Sequence, residues 1–337
     1  MSLPPEPRAN PALVGQDEAA AALDAAARAG RLHHAWLIAG PEGVGKATLA
    51  YRFARFLLAG RPRAPEGEAP LFVPPDSAVF RRIAAGAHAD LLTIEPGTLQ
   101  GDRKRSDVIN VEAARLIPGF MALTAAEGGW RVVVLDGAEL MNPAAANAIL
   151  KVLEEPPPRA VLLLVSSAPG RLLPTIRSRC RRLDLPPPND AALLPLLGAW
   201  LPGMEAAERV ALARLAGNAP GRALRLAEGG GLAVHAMVEE VLAAPEAKRA
   251  MATADKLAAD RQGTSFALFF TLLRRAIAEA TARAGRGEAA PGWVAARPLA
   301  DWAGLWDRLG RLADETERLN LDRKQAALTA LSWLAAD

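Results

Sequence analysis

Residues 40–47 read Gly-Pro-Glu-Gly-Val-Gly-Lys-Ala, and what surrounds them decides the fold. Upstream, His34-Ala-Trp-Leu-Ile-Ala39 is a short apolar run suited to a buried strand. Downstream, Ala47 to Leu58 carries Leu49, Phe53 and Leu57 at helical spacing. Strand, glycine-rich turn, helix is the setting in which G-x-x-x-x-G-K-[ST] cradles phosphate. Backbone N–H groups wrap the phosphates, the Lys reaches the outer ones, and the hydroxyl helps hold Mg²⁺. Gly40, Gly43, Gly45 and Lys46 meet that pattern, whereas Ala47 does not. The cradle is kept and a metal ligand is lost. Thr48 carries a hydroxyl one place late, where helix geometry turns it elsewhere.

Arg131-Val-Val-Val-Leu-Asp136 is an apolar strand ending in a carboxylate, the layout of a Walker B element, but Gly137 follows where hydrolytic sites carry a water-orienting Glu. Glu139, three residues beyond Asp136, is no assured substitute. Taken alone, Asp136 equally reads as a strand-end residue capping a turn. Losing a metal hydroxyl and a water-positioning carboxylate together removes both charge neutralisation and alignment, so hydrolysis in cis is not expected.

Short apolar runs alternating with helical patterns predict an α/β core with a mostly parallel sheet. The strands are expected at Trp36 to Ala39, Leu91 to Glu95, Arg131 to Leu135, Val161 to Ser166 and Arg182 to Leu185. Segment 61–79 carries five prolines and reads as an irregular excursion. Gly97 to Ser106 reads as an exposed loop bearing Arg103, Lys104 and Arg105. Asn142-Pro143 starts a helix that Pro156-Pro157 ends. Pro186-Pro-Pro188 closes the sheet-forming part, and Gly229-Gly-Gly231 marks a second boundary. The division expected is a core at 1–186, a helical lid at 187–228 and an all-helical domain at 229–337.

Composition sets bounds. The chain has 337 residues, 51% of them hydrophobic, enough for two or three ordinary globular cores. Its formal charge of +3, from 40 basic and 37 acidic residues, does not by itself imply nucleic acid. Cys180 is the single cysteine, which excludes an internal disulfide and a multi-cysteine metal site, so no zinc and no other metal site is expected. The four histidines lack metal spacing. The N-terminus has neither a basic nor an apolar signal-like region, and no stretch approaches the roughly 18 apolar residues of a membrane span. A cytoplasmic protein without membrane contact is the expectation.

Asp136-Gly-Ala-Glu-Leu-Met-Asn-Pro-Ala-Ala-Ala-Asn-Ala-Ile-Leu-Lys-Val-Leu-Glu-Glu-Pro-Pro157, followed by Leu173-Pro-Thr-Ile-Arg-Ser-Arg-Cys180, closely resembles the AAA+ subunits of the bacterial DNA polymerase III clamp loader. Val14-Gly-Gln16, Gly30-Arg-Leu-His-His-Ala-Trp36 and Leu319-Asn-Leu-Asp322 are similar to the same family. In that family the motor subunits carry an intact loop and an Asp-Glu Walker B, and another class keeps Ser-Arg-Cys beside a degenerate site. This sequence follows the second pattern. It departs from many relatives in having a proline-rich stretch where they carry a four-cysteine zinc module, although His88-Ala-Asp90 resembles the family's re-entry to the sheet.

The resemblance implies an AAA+ P-loop core, a small helical lid and a C-terminal helical collar that assembles a ring. It implies that Arg179 is an arginine finger acting in trans on ATP held by a neighbour; without it, Arg179 reads as a surface arginine, solvated or salt-bridged. It implies a degenerate nucleotide site built from Gly40, Gly43, Gly45, Lys46, Ala47, Thr48, Asp136 and Ser167, holding ATP or ADP without efficient hydrolysis. Ser167 takes the first sensor position, or is a strand-end Ser satisfying local backbone. At the second sensor position Gly221 stands where an Arg is usual, with Arg222 one place along and no role assigned.

Implied partners are the delta subunit and the gamma/tau motor subunits, with the sliding clamp and primed DNA reached through the complex. The chain would be part of the DNA polymerase holoenzyme in the nucleoid-associated replisome, with no independent catalysis expected. Arg103, Lys104 and Arg105 are weak candidates for backbone-directed DNA contact. Cys180 reads as a packed, inert thiol rather than a redox centre, and the adjacent Glu154 and Glu155 point about 100° apart on a helix, so they do not converge as a catalytic pair. The alternative is an ATP-hydrolysing motor subunit or a related DNA-remodelling ATPase.

Overall fold

The computed structural model describes residues 4–98, 107–260 and 262–335. They divide into two compact units, Met1–Ala223 and Leu224–Asp337. In the first, β1 (Ala35–Ala39), β2 (Leu91–Ile94), β3 (Arg131–Asp136), β4 (Ala160–Ser166) and β5 (Arg181–Asp184) form one sheet in the order β2-β3-β4-β1-β5. Every pairing is parallel. The three middle strands, β3, β4 and β1, are almost wholly buried, and continuous apolar runs are what a strand covered on both faces requires.

The period-two alternation of a strand sends neighbouring residues to opposite faces. Trp36, Ile38, Val132, Val134, Val161 and Leu163 pack in one core with α1 (Asp17–Arg28), α2 (Lys46–Leu58) and α3 (Ala78–Ala84). Leu37, Val133, Leu135, Leu162 and Leu164 pack in the other with α4 (Val111–Ala122), α5 (Pro143–Ala148), α6 (Leu150–Glu154) and α7 (Pro174–Arg177). The single helix expected from Asn142 to Pro156 is two short ones separated at Ile149. Asn142 does cap the first, its side chain accepting the Ala145 N–H at 2.8 Å.

Two buried arginines on α2 organise what the prolines leave irregular. Arg55 donates to the carbonyls of Arg8 and Asn10 at 2.9 and 2.8 Å, and its guanidinium stacks 4.5 Å from the Phe80 ring centre. Arg52 donates to Pro11, Pro70 and Ala69 carbonyls. Burial, reinforced by the neighbouring Arg52, pulls Arg55 down to about 10, which leaves it charged at neutral pH. A guanidinium fork supplies five donors, so two such groups pin both the N-terminal strap and the segment after α2.

Beyond the sheet come α8 (Asp190–Trp200), α9 (Ala206–Leu215) and α10 (Pro220–Glu228), and the division between units falls inside α10. The second unit is all helical: α11 (Gly231–Ala243), α12 (Ala247–Ala259), α13 (Thr264–Gly285), α14 (Leu299–Leu319) and α15 (Arg323–Ala335), with a short 3₁₀ turn at Gly292–Ala296. Phe266, Phe269, Phe270, Leu305 and Leu309 are among its buried side chains. The Gly229–Gly231 run is a close-packed turn, since a Cβ on Gly231 would lie 2.7 Å from the Leu226 carbonyl oxygen.

Candidate functional site

β1 ends at Ala39 and α2 begins at Lys46, so the glycine-rich loop sits at the carboxyl end of the sheet. Lys46 is buried, and its Nζ donates to the Gly40 carbonyl at 2.9 Å, the Pro41 carbonyl at 2.7 Å and Ser167 Oγ at 2.8 Å. Those acceptors match the three N–H donors of an ammonium. The Ser167 backbone N–H in turn donates to Glu139 Oε1 at 2.9 Å, and Glu139 Oε2 is buried without a hydrogen-bond partner. Burial pushes the Asp136 carboxyl up from its ordinary value; the Lys46 ammonium opposes this, and Glu95 and Glu139 add to it. Lys46, Asp136, Ser167 and Glu139 are thus brought together, with Glu139 engaged by backbone rather than poised over the loop.

The start of α10 closes the loop from outside. Gly221 donates its N–H to the Gly43 carbonyl at 2.8 Å. Gly43 has φ 78°, and a Cβ there would fall 2.4 Å from the Arg222 nitrogen, so only glycine fits both the turn and the approach. Gly221, standing where the family resemblance expects Arg, lets the helix come this near: its own missing Cβ would lie 3.2 Å from the Gly43 Cα. Beside the loop a cavity of about 50 Å³ is left, lined by Leu13, Val14, Thr48, Trp200 and Pro220 among others.

As arranged, Lys46 Nζ is engaged by its own loop and by Ser167. Phosphate binding by Lys46 requires its ammonium to exchange the Gly40 and Pro41 carbonyls for phosphate oxygens. On the metal side, Ala47 offers a methyl group where the loop pattern has a hydroxyl. Gly137 has φ 76°, a left-handed conformation that a Glu at this position would adopt only under strain.

Arg179 belongs to the opposite end of the sheet. In the parallel β1–β5 register Trp36 pairs with Arg181 and Ala39 with Asp184, so Arg179 precedes the start of β5 while the loop follows the end of β1. At about 3.3 Å per residue the two ends are roughly 15 Å apart along the strand. Arg179 Nη1 donates to the Thr175 carbonyl at 3.1 Å and to Ser178 Oγ at 3.5 Å, and Nη2 pairs with Glu154 Oε1 at 2.8 Å. Arg181 stacks 4.9 Å from the Trp36 ring centre and Arg182 pairs with Asp184, so each of these arginines has its own local partner.

Burial pushes the Cys180 thiol up to about 12, which makes it inert at neutral pH. His33 and His34 stack on each other at 4.4 Å, and their ring nitrogens lie 2.8 Å from the Ala35 carbonyl and 3.0 Å from the Leu153 carbonyl, so they serve local structure. Arg103, Lys104 and Arg105 lie outside the described residues. No helix among those described is long and apolar enough to cross a membrane. The sequence reading missed the roles of Gly221, Glu139 and Glu154. For Gly221 a signal existed, its place in the segment that resembles the second sensor; the other two pairings join segments far apart in sequence that meet only in space.

Comparison with known proteins adds a family. The family described as "DNA polymerase III, delta subunit" matches residues 15–189, more than half of the chain. "DNA polymerase III subunit delta'" from Pseudomonas aeruginosa is 42% identical over 193 residues, 57% of this chain and 55% of that protein. The protein of the same name from Escherichia coli is 35% identical over 207 residues, 61% of this chain and 58% of that protein. "DNA polymerase III subunit gamma/tau" from Mycobacterium tuberculosis is 32% identical over 187 residues, 54% of this chain and 30% of that protein. The matched part spans little more than half the length of the delta' relatives.

Proposed function

Since the chain belongs to the DNA polymerase III delta-subunit family, we propose that it serves as the delta-prime subunit of a bacterial clamp loader. It takes part in ring assembly, contacts delta, and presents Arg179 to ATP held by an adjacent gamma/tau motor subunit. The loader as a whole places the sliding clamp on primed DNA in the cytoplasm. The observation that carries this reading is the placing of Arg179 at the far end of the sheet from its own loop, where it is of no use in cis. A planar guanidinium that donates bidentately to phosphate oxygens stabilises transition-state charge, worth about 10³ to 10⁵ in rate in studied systems.

The chain's own loop is read as a degenerate site that does not turn nucleotide over, and any ATP or ADP it holds is bound weakly because Lys46 is already satisfied within the loop. The division into core, lid and collar at 1–186, 187–228 and 229–337 belongs to the same proposal. Reconstitution of the loader with Arg179→Ala tests it. Clamp- and DNA-stimulated ATPase activity is expected to fall by orders of magnitude, and an unchanged rate overturns the trans role. A second reading, a self-sufficient motor, is favoured by the gamma/tau relative; Mg²⁺-dependent ATP turnover by the isolated chain would establish it in place of the first.

A further inference from the structure

The terminal nitrogens of Arg179, the atoms a finger uses to grip phosphate, are turned back on this chain. Nη1 is engaged by the Thr175 carbonyl and Ser178 Oγ, and Nη2 by Glu154 at 2.8 Å. Thr175 and Ser178 belong to the same short segment as Arg179, so they travel with it. Glu154 comes from elsewhere, the last turn of α6, which Pro156 and Pro157 follow directly. It is the one charged partner, and its carboxylate cancels the charge a finger exists to supply.

We propose that Glu154 is a latch for Arg179: it holds the guanidinium in a withdrawn, charge-neutralised position, and docking of a neighbouring subunit's nucleotide draws Arg179 from the carboxylate to phosphate. The inference rests on the trans-finger reading above. An exposed ion pair suits this purpose, because both side chains are solvated, 36% and 50% exposed, and such pairs are weak enough to exchange partners. A phosphate oxygen in a dry interface competes well against a solvated carboxylate. The latch therefore suppresses hydrolysis before the assembly has closed and has little effect once it has. Glu155, the adjacent residue, lies past the end of α6 in a non-helical conformation (φ −122°, ψ 71°) and has no ion pair to Arg179 among the described residues.

The test is a double-mutant cycle in the reconstituted loader, with ATPase measured without clamp or DNA and then with both. Glu154→Ala is expected to raise the unstimulated rate about two- to fivefold, the range that loss of an exposed ion pair allows, and to leave the stimulated rate unchanged. Glu154→Gln, which keeps an acceptor but loses the charge, should give a smaller rise. In an Arg179→Ala background Glu154→Ala should do nothing, because the two residues act through one contact. An unstimulated rate that is unchanged or lowered by Glu154→Ala overturns the latch, as does a rise that persists without Arg179. If Arg179→Ala alone leaves both rates unchanged, the trans-finger reading fails first, and the two failures are told apart.

Discussion

The two ends of one parallel sheet hold their charged side chains in opposite ways. At the carboxyl end, buried Lys46 is spent on the carbonyls of Gly40 and Pro41 and on Ser167, and Gly221 bonds Gly43 from above. At the amino end, Arg179 is held by a solvated carboxylate and two acceptors of its own segment. Closing the first end requires close contact between backbones, which is costly to undo. Holding the second requires one exposed ion pair, worth about 0 to 1 kcal/mol. The difference teaches that a charged residue can be fixed by burial among several acceptors or held loosely by a weak, exposed one.

The largest expected effect breaks the comparison at the amino end. Arg179→Lys, which keeps the charge and loses the planar fork, should cost the reconstituted loader at least about a hundredfold in stimulated ATPase if bidentate contact is what matters. Near-normal activity would mean that charge alone suffices. Next, Arg55→Met should lower the unfolding free energy of the chain by about 2 kcal/mol in urea titration. The carbonyls of Arg8 and Asn10 lose their donors, an effect only partly offset by removal of a buried charge. Unchanged stability would show that the strap is held without it.

Cys180, next to Arg179 in sequence, is half-buried at the amino end. Alkylation of the native chain at pH 8 should be slower than that of the unfolded chain by about tenfold or more, since burial leaves little thiolate. The sign with pH follows from a folded value above the unfolded one: the thiol's contribution to stability is full below 9.0 and is lost as pH rises from there towards about 12. Fast labelling at pH 8 would show a solvated thiol. The smallest effect is a null at the carboxyl end. Ala47→Ser with Gly137→Glu should not bring measurable ATP turnover to the isolated chain. The Lys46 contacts to Gly40 and Pro41 remain, and a Glu at φ 76° costs about 1–2 kcal/mol. Turnover comparable to that of a motor subunit would show that the two missing side chains alone silence the loop.

Most of the sheet was legible because β3 and β4 are apolar without interruption, the mark of strands covered on both faces. The loop was legible because its glycines and Lys46 sit at fixed spacing. The break at Ile149 was not, since nothing in the Ala- and Leu-rich run from Pro143 to Glu154 signals where a helix bends to fit the sheet beneath it. Nor were Arg52 and Arg55, which in sequence are ordinary helix residues and in space are the fastenings of two irregular segments.

By itself the sequence determined which atoms are available: a glycine-rich loop with Lys46 and no hydroxyl at position 47, an apolar strand ending in Asp136 with no carboxylate at 137, and an arginine in a Ser-Arg-Cys segment. Those are properties of residue type and spacing, and they survive any arrangement of the chain. Only the tertiary structure decided where the atoms' charges go. Parallel pairing of β1 with β5 sends Arg179 and Lys46 to opposite ends, and the approach of α10 to Gly43 closes the loop. The meeting of α6 with the turn before β5 gives Arg179 a carboxylate. Each depends on partners distant in the chain, whose meeting is set by packing and strand order rather than by any local preference.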